Sequence, residues 1–396
     1  MIILKIKNTT ILKRTFKLFL LALSFSFLAS AQDKIEVKGI ILDETKYPVP
    51  YVAVGIVKKY IGTASTEDGE FSFFITKNEL QDSLSISSLG FDPFKVKVAD
   101  FLKQEKQEII LKETITELNA ITLLKPSDYI LNALKSLRDN TISTPHKIEI
   151  LYRGAASENG KSKFFVENYI KIKDRGPAYP LGTIEVAEAR KSADYRYWKR
   201  TQWRHSIVGA FEVNPLRPGN SQHSRNLKKF KWSKIGDSSY EGEDVVILEG
   251  KNPKKAWEKM KFYIGIDSYK VYRIERGNSL YIYKKHKTGK MVLSYTKGEW
   301  RFPKDKIPKQ YLGTPGETLE YKREGFVLNV ETNKKKIKVK PFGVEKDMGS
   351  IELPYNPVFW QNLNMPPDTK FFKKIKKQLE GNYGVPLEKQ FELVNK

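Results

Sequence analysis

The sequence predicts a mainly β protein: an N-terminal β-sandwich, then a larger α+β domain on a long antiparallel sheet with few helices. Three observations predict it. Residues 34–113 hold short runs of apolar alternation at about ten-residue spacing, with turn signals between them. From residue 146 to about 345 the alternation returns, punctuated by Asn159-Gly160, Glu241-Gly242 and Thr288-Gly289. Helical periodicity is confined to a stretch opening at Pro126 and another near the end.

The first residues read as a leader. Lys5, Lys7, Lys13, Arg14 and Lys17 form a positive segment. Leu18 to Leu28 is an apolar run too short to span a bilayer comfortably. Ala29-Ser30-Ala31 fits the small-x-small cleavage rule. A signal peptide over 1–31 is therefore expected, with a mature start at Gln32 and a periplasmic or outer-membrane location. The chain has no cysteine, which excludes disulfides, thiolate metal sites and a thioether lipid anchor.

Lys and Arg number 70 against 46 Asp and Glu, a net +24; the leader carries five of the positive charges and no acid, which leaves +19. After export, nucleic acid is not the expected target. The acidic partners within reach are lipopolysaccharide, anionic lipid head groups and acidic glycans. The plainer alternative is solvated lysine faces, since the lysines are spread along the chain.

The sandwich is expected over 32–113. KIEVKGIILDE alternates through Ile35, Val37, Ile40 and Leu42. PVPYVAVGIV puts Val52, Val54 and Ile56 on one face. In GTASTEDGEFSF, Asp68-Gly69 reads as a tight hairpin turn with positive φ at Gly69, and Phe71 and Phe73 point together into the core. DSLSISSLGF, KVKVADF and QEIILKE supply the remaining strands.

These residues carry a resemblance. Gly39, Asp43, Pro50-Tyr51-Val52-Ala53-Val54, Gly62-Thr63, Asp68-Gly69-Glu70-Phe71 and Ser88-Leu89-Gly90-Phe91 resemble the carboxypeptidase-regulatory-like domain, a transthyretin-like sandwich common at the N-terminus of Bacteroidetes envelope proteins. One departure is Ser65-Thr66, where the family usually shows Thr-Asp; the hydroxyl is kept and the carboxylate lost. In carboxypeptidases this domain is accessory to a separate zinc peptidase domain. The resemblance therefore implies folding and docking, not hydrolysis.

Residues 114–125 are read as a linker and 126–396 as the α+β domain. Pro126-Ser127 opens a helix with Ile130, Ala133, Leu134 and Leu137 on one stripe, ending near Asn140. Leu151-Tyr152-Arg153, Phe262-Tyr263-Ile264-Gly265-Ile266-Asp267 and Asn356-Pro357-Val358-Phe359-Trp360 are similar to uncharacterised Bacteroidetes envelope proteins with the same N-terminal module. Their long, curved antiparallel sheet also resembles the lipoprotein-carrier half-barrel, which implies acyl chains held in a concave face. The last helix is expected to be capped by Asp368 and closed by Gly381. Phe371, Phe372, Ile375 and Leu379 lie on one side, among five lysines. Its charges suit peripheral contact with an anionic membrane; docking on the sheet through its phenylalanines is the simpler reading.

Catalytic motifs are lacking. His146-Lys147-Ile148-Glu149 spells H-x-x-E, but on a strand i and i+3 face opposite ways and cannot share one ion. G-x-S-x-G and a Gly-rich phosphate loop are absent. Glu67, Asp68 and Glu70 could recruit Ca²⁺, but the turn lacks the alternating oxygen ligands of a calcium loop. No metal and no cofactor is expected. The candidate ligand-binding stretch is Trp198, Lys199, Arg200, Trp203 and Arg204, where aromatic faces alternate with cations. Gly62, Asp68, Gly69, Phe71 and Phe73 are assigned to turn and core. The favoured reading is a non-catalytic exported envelope protein that binds a protein partner or an anionic amphiphile or glycan. The alternatives are an accessory part of an outer-membrane uptake or secretion complex, and a motif-less hydrolase acting on peptide or glycan.

Overall fold

The computed structural model describes residues 34–114, 124–196, 207–211, 214–218, 227–303, 318–343 and 347–394. The N-terminal strands are β1 (Ile35–Asp43), β2 (Ala53–Ile56), β3 (Ile61–Ala64), β4 (Glu70–Ile75), β5 (Ser83–Ser87), β6 (Phe94–Lys97) and β7 (Glu108–Leu111), with a short helix α1 (Val98–Leu102) before the last. They form two sheets, β4-β1-β7 and β3-β2-β5-β6. Val37, Ile41, Val54, Ile86, Phe71, Phe73 and Phe101 fill the space between them. Gly55 and Gly62 face each other across β2 and β3, where a Cβ on Gly62 would overlap the Val54 carbonyl oxygen.

One expectation fails here. Asp68-Gly69 does not close a hairpin, because β3 and β4 lie in different sheets. The turn is a corner of the sandwich. Gly69 N–H donates to Thr66 O at 3.0 Å and Thr66 N–H to Glu70 O at 2.8 Å. Beyond these bonds β3 goes to β2, and β4 to β1 with Val37 opposite Phe73. The lost carboxylate at residues 65–66 leaves no gap in bonding. Ser65 Oγ accepts from Val52 N at 2.9 Å and donates to Val49 O at 3.1 Å.

Helices α2 (Pro126–Lys135) and α3 (Leu137–Asn140) lead into ten further strands. These are β8 (His146–Glu158), β9 (Lys161–Asp174), β10 (Thr183–Lys191), β11 (Lys231–Tyr240), β12 (Glu243–Asn252), β13 (Lys255–Gly265), β14 (Val271–Arg276), β15 (Ser279–Lys285), β16 (Met291–Pro303) and β17 (Thr318–Glu331). They make one antiparallel sheet in the order β10-β9-β8-β17-β16-β15-β14-β13-β12-β11. Tight turns sit where the dipeptides placed them: Asn159-Gly160 and Glu241-Gly242 both have positive φ, and Gly289 has φ 78°.

Both faces of this sheet are covered. On the first, Ile148, Ile150, Tyr152, Phe164 and Ile170 meet the short helix α4 (Ile207–Phe211), while Phe262, Ile264 and Ile274 meet Tyr129, Ile130 and Ala133 of α2. On the second, Leu151, Leu280, Tyr295 and Phe326 meet Trp360 of α5 (Pro357–Asn362). Ala155 and Phe165 there meet α6 (Lys370–Tyr383) and α7 (Leu387–Val394). The sandwich shares this second face, with Tyr51 stacked on Tyr295 at 4.6 Å.

The terminal helix docks as its phenylalanines imply, with Phe372, Ile375 and Leu379 buried. Its ends are shifted from expectation. Thr369 is the N-cap, because Asp368 is turned to Arg153 and Lys376. Gly381 lies inside the helix, and Gly384, at φ 64°, closes it.

Candidate functional site

The Asp68-Gly69 corner is where the sandwich meets the rest of the molecule. Gly69 has φ 75°, and a Cβ there would lie 2.5 Å from Ile41 O, so only glycine fits without movement. The turn presents three acids. Glu67 pairs with Lys322 of β17 and, at 3.4 Å, with Lys297 of β16. Asp68 Oδ2 accepts the backbone N–H of Lys370 at 2.6 Å, at the start of α6. Glu70 pairs with Lys373 at 2.8 Å. Burial pushes the Glu67 carboxyl up, but Lys322 and Lys297 outweigh it and hold it below its ordinary range. Deeper in the junction Tyr295 OH donates to Glu324 Oε1 at 2.8 Å, and burial pushes the Glu324 carboxyl up. The acids read from sequence as weak calcium ligands are thus committed to holding the sandwich in place.

A second contact is pH-sensitive. His286, in the β15–β16 turn, is buried with its ring 4.3 Å from that of Tyr60 in the sandwich. Its Nδ1 is 2.9 Å from Thr288 Oγ1. Burial, helped by Lys287, lowers its pKa to about 4. A base whose folded pKa lies below the ordinary 6.5 binds fewer protons folded than unfolded between those values. Stability is therefore full above about pH 6.5 and falls as pH drops toward 4, by about 3 kcal/mol at most. Urea midpoints at pH 7 and pH 4.5 should differ more in wild type than in His286→Gln. Equal differences would mean that the ring is solvated.

Beneath α6 lies a buried ionic network. Glu167 of β9 has no exposed surface and accepts from Arg153 Nε at 2.7 Å and from Arg190 Nε at 2.7 Å. Arg153 also pairs with Asp368 at 3.3 Å. Burial alone would raise the Glu167 carboxyl, yet Arg190, Lys376 and Arg153 hold it well below the carboxylate range. The Arg190 guanidinium lies 4.5 Å from the Trp360 ring. The network joins three strands to the segment ahead of α6. It is a bracing element, since its charges are satisfied internally.

The first face holds a small cavity of about 20 Å³, with His146, Asp174, Asn214, Arg217 and Tyr283 on one side and apolar residues such as Ile148 and Met291 on the rest. Arg217 binds Asp174 with both terminal nitrogens, at 2.6 and 3.1 Å. Asn214 Nδ2 donates to Tyr283 OH at 2.6 Å, and burial raises that phenol to about 12. The volume suits one water molecule and is far below that of an acyl chain. The half-barrel resemblance implied a lipid-holding concavity; this cavity is not one. His146 faces it, whereas Glu149 faces the other way and is bound by Lys147 at 2.7 Å and Asn329 at 3.1 Å. Among the described residues no three His, Asp or Glu side chains are grouped to hold a metal ion.

Trp198, Lys199, Arg200, Trp203 and Arg204 lie outside the described residues. The chain on either side is anchored on the first face. Arg196 is buried, bound to Asp194 at 2.9 Å, with its guanidinium 3.9 Å from the Phe164 ring. Ile207 and Phe211 of α4 are buried in the same cluster. Gly62, Asp68, Gly69, Phe71 and Phe73 all belong to the sandwich and its corner.

The two-sheet sandwich with its Gly69 corner is the geometry on which the comparisons bear. Residues 37–123 match the CarboxypepD_reg-like domain. The regulatory-like domain so defined runs ten residues past the expected end of the sandwich at 113. No curated protein matches the chain. Similar solved structures include a DUF1329 family protein from Desulfovibrio piger, 11% identical, covering 53% of this chain and 95% of that one at a TM-score of 0.25. A domain described as an outer membrane lipoprotein-sorting protein, from Vibrio parahaemolyticus, is 13% identical over 52% and 91% of the two chains at 0.27. A LolA superfamily protein from Nitrosomonas europaea is 11% identical over 54% and 94% at 0.23. Likeness at this level bears on neither ligand nor activity.

Sequence reasoning missed the junction and the Arg153–Glu167–Arg190 network. The available signal for the first was three acids within four residues of a turn in a strongly basic chain. For the second there was none, because the three residues meet only through strand register.

Proposed function

We propose that the chain is a non-catalytic, exported envelope protein in which the regulatory-like domain braces the ten-stranded sheet and the larger domain binds a protein partner or an anionic envelope amphiphile. The observation that carries this reading is the corner at Gly69. Its three acids are taken up by Lys322, Lys297, Lys373 and the start of α6, so the sandwich serves as a mount. What remains for recognition is a strongly basic second domain, in which the Trp198–Arg204 stretch is a candidate by its sequence chemistry alone. Export rests on the leader over 1–31. Native mass spectrometry of protein recovered from the envelope fraction tests the reading. A co-purified chain or amphiphile, on a protein beginning at Gln32, is the expected result. Bare protein that turns over peptide or glycan would overturn it.

A further inference from the structure

At the far end of β11 from the sandwich, the β12–β13 hairpin makes an exposed basic tip. The sandwich touches the other end, where Gly90 N–H donates to Ser239 O at 2.8 Å. At the tip, Lys231, Lys251 and Lys259 face one another across three neighbouring strands. Like charges directly opposite on a sheet repel. A single acid, Glu249, stands among them; it pairs with Lys251 at 2.8 Å and feels Lys259 from further off. Lys231 and Lys259, with Lys254 in the turn and Lys255 at the start of β13, make no carboxylate salt bridge among the described residues, and all are exposed.

The strand register breaks at this row. Lys251 pairs with Lys259 but Asn252 with Lys255, so residues 256–258 have no counterpart on β12. Such a bulge re-aims side chains. Asn252 Nδ2 donates to Glu258 Oε2 at 2.6 Å and fixes it. The result is Trp257 standing 76% exposed, with Lys255 Nζ 5.7 Å from its ring centroid. Tryptophan is normally well buried, and an exposed one beside a lysine on a basic tip has the chemistry of the membrane–water interface.

We propose that this tip docks on an anionic lipid bilayer, with Trp257 at head-group depth and the lysine row over the lipid phosphates. The proposal rests on the reading of an exported envelope protein and adds a place and an orientation to it. Charge complementarity favours an anionic surface, and the outward tryptophan favours a bilayer over a soluble acidic polymer.

The test is flotation of the full chain with vesicles of three parts phosphatidylcholine to one part phosphatidylglycerol, at low and high salt. Wild type should bind, and binding should weaken steeply with salt because exposed charges are screened beyond about 8 Å at physiological ionic strength. The triple change Lys231→Ser, Lys251→Ser and Lys259→Ser should reduce binding on the order of a hundredfold, at about fivefold per lysine. Trp257→Ala should reduce it with little change in salt dependence. Thermal melts equal to wild type would confirm that these surface changes leave the fold intact. Equal binding by the triple variant, or no wild-type binding at either salt, would overturn the proposal. So would heparin binding as tight as vesicle binding and indifferent to Trp257→Ala, which would point to an acidic glycan. A partner found by native mass spectrometry together with inert vesicles would sink the docking tip and leave the binding function standing.

Discussion

Glu167→Gln should lower stability by about 3–5 kcal/mol, read as a fall in the urea midpoint with an unchanged slope. Glutamine keeps the shape and one acceptor but removes the charge. Arg153, 1% exposed, and Arg190, 9% exposed, would then share a buried site with their principal anion gone. Asp368, at the edge of the network, reaches Arg153 but not Arg190, and is shared with Lys376. Breaking one partner of a buried pair costs far more than the pair is worth, since a desolvated charge is left behind. The contrast is a triple change of Arg153, Glu167 and Arg190 to Leu, Leu and Met. With the three buried charges removed and Asp368 still paired with Lys376, the loss should be much smaller than for Glu167→Gln alone. A Glu167→Gln midpoint within error of wild type would show that water reaches the network.

Phe71→Ala should cost about 3–5 kcal/mol through the cavity it leaves. The ring is 1% exposed, 6.0 Å from Phe101 and 6.5 Å from Phe73. The damage should not stay in the sandwich. Phe71 follows Glu70 on β4, and the corner supplies Glu67 to Lys322, which is itself 1% exposed. Loosening the corner leaves Lys322 buried with only the more distant Glu324 and Glu299, each at 3.9 Å. Far-UV circular dichroism and tryptophan emission should therefore move together on melting. Two separated transitions, with the large sheet melting at its wild-type temperature, would show that the sandwich is not a brace.

Much of the fold was legible because strands, turns and apolar helix faces are local signals. Asn159-Gly160 and Glu241-Gly242 needed only turn chemistry, and the Pro126 helix only a period. The Gly69 corner was misread for a physical reason: a strand buried on one face alternates identically whether its neighbour in sequence is its partner or lies in the opposite sheet. The shifts at the last helix came from adjacent residues with equal capping ability. Asp368 and Thr369 both cap well, and Asp368 was claimed by Arg153, a residue more than two hundred positions away. The candidate binding stretch was chosen for its Trp–cation alternation. KNPKKAWEKMK also sets a tryptophan among lysines, but the bulge that turns Trp257 outward arises from register and leaves no local mark.

The place of β17 in the sheet has a kinetic consequence. The last strand made lies between β8 and β16 and joins the two halves. Until it arrives, β8-β9-β10 and the β11–β16 meander are separate ribbons, each with an open edge. The β8 edge stays unpaired on that side from Glu158 until Thr318, more than a hundred residues of emerging chain, while the sandwich has no Lys322 to grip. Closure of the sheet and seating of the sandwich then fall in one late step of high contact order, which is slow and exposed to aggregation. A chain stopped short of Thr318 would keep nearly all its strands and lack the one that makes them a single body.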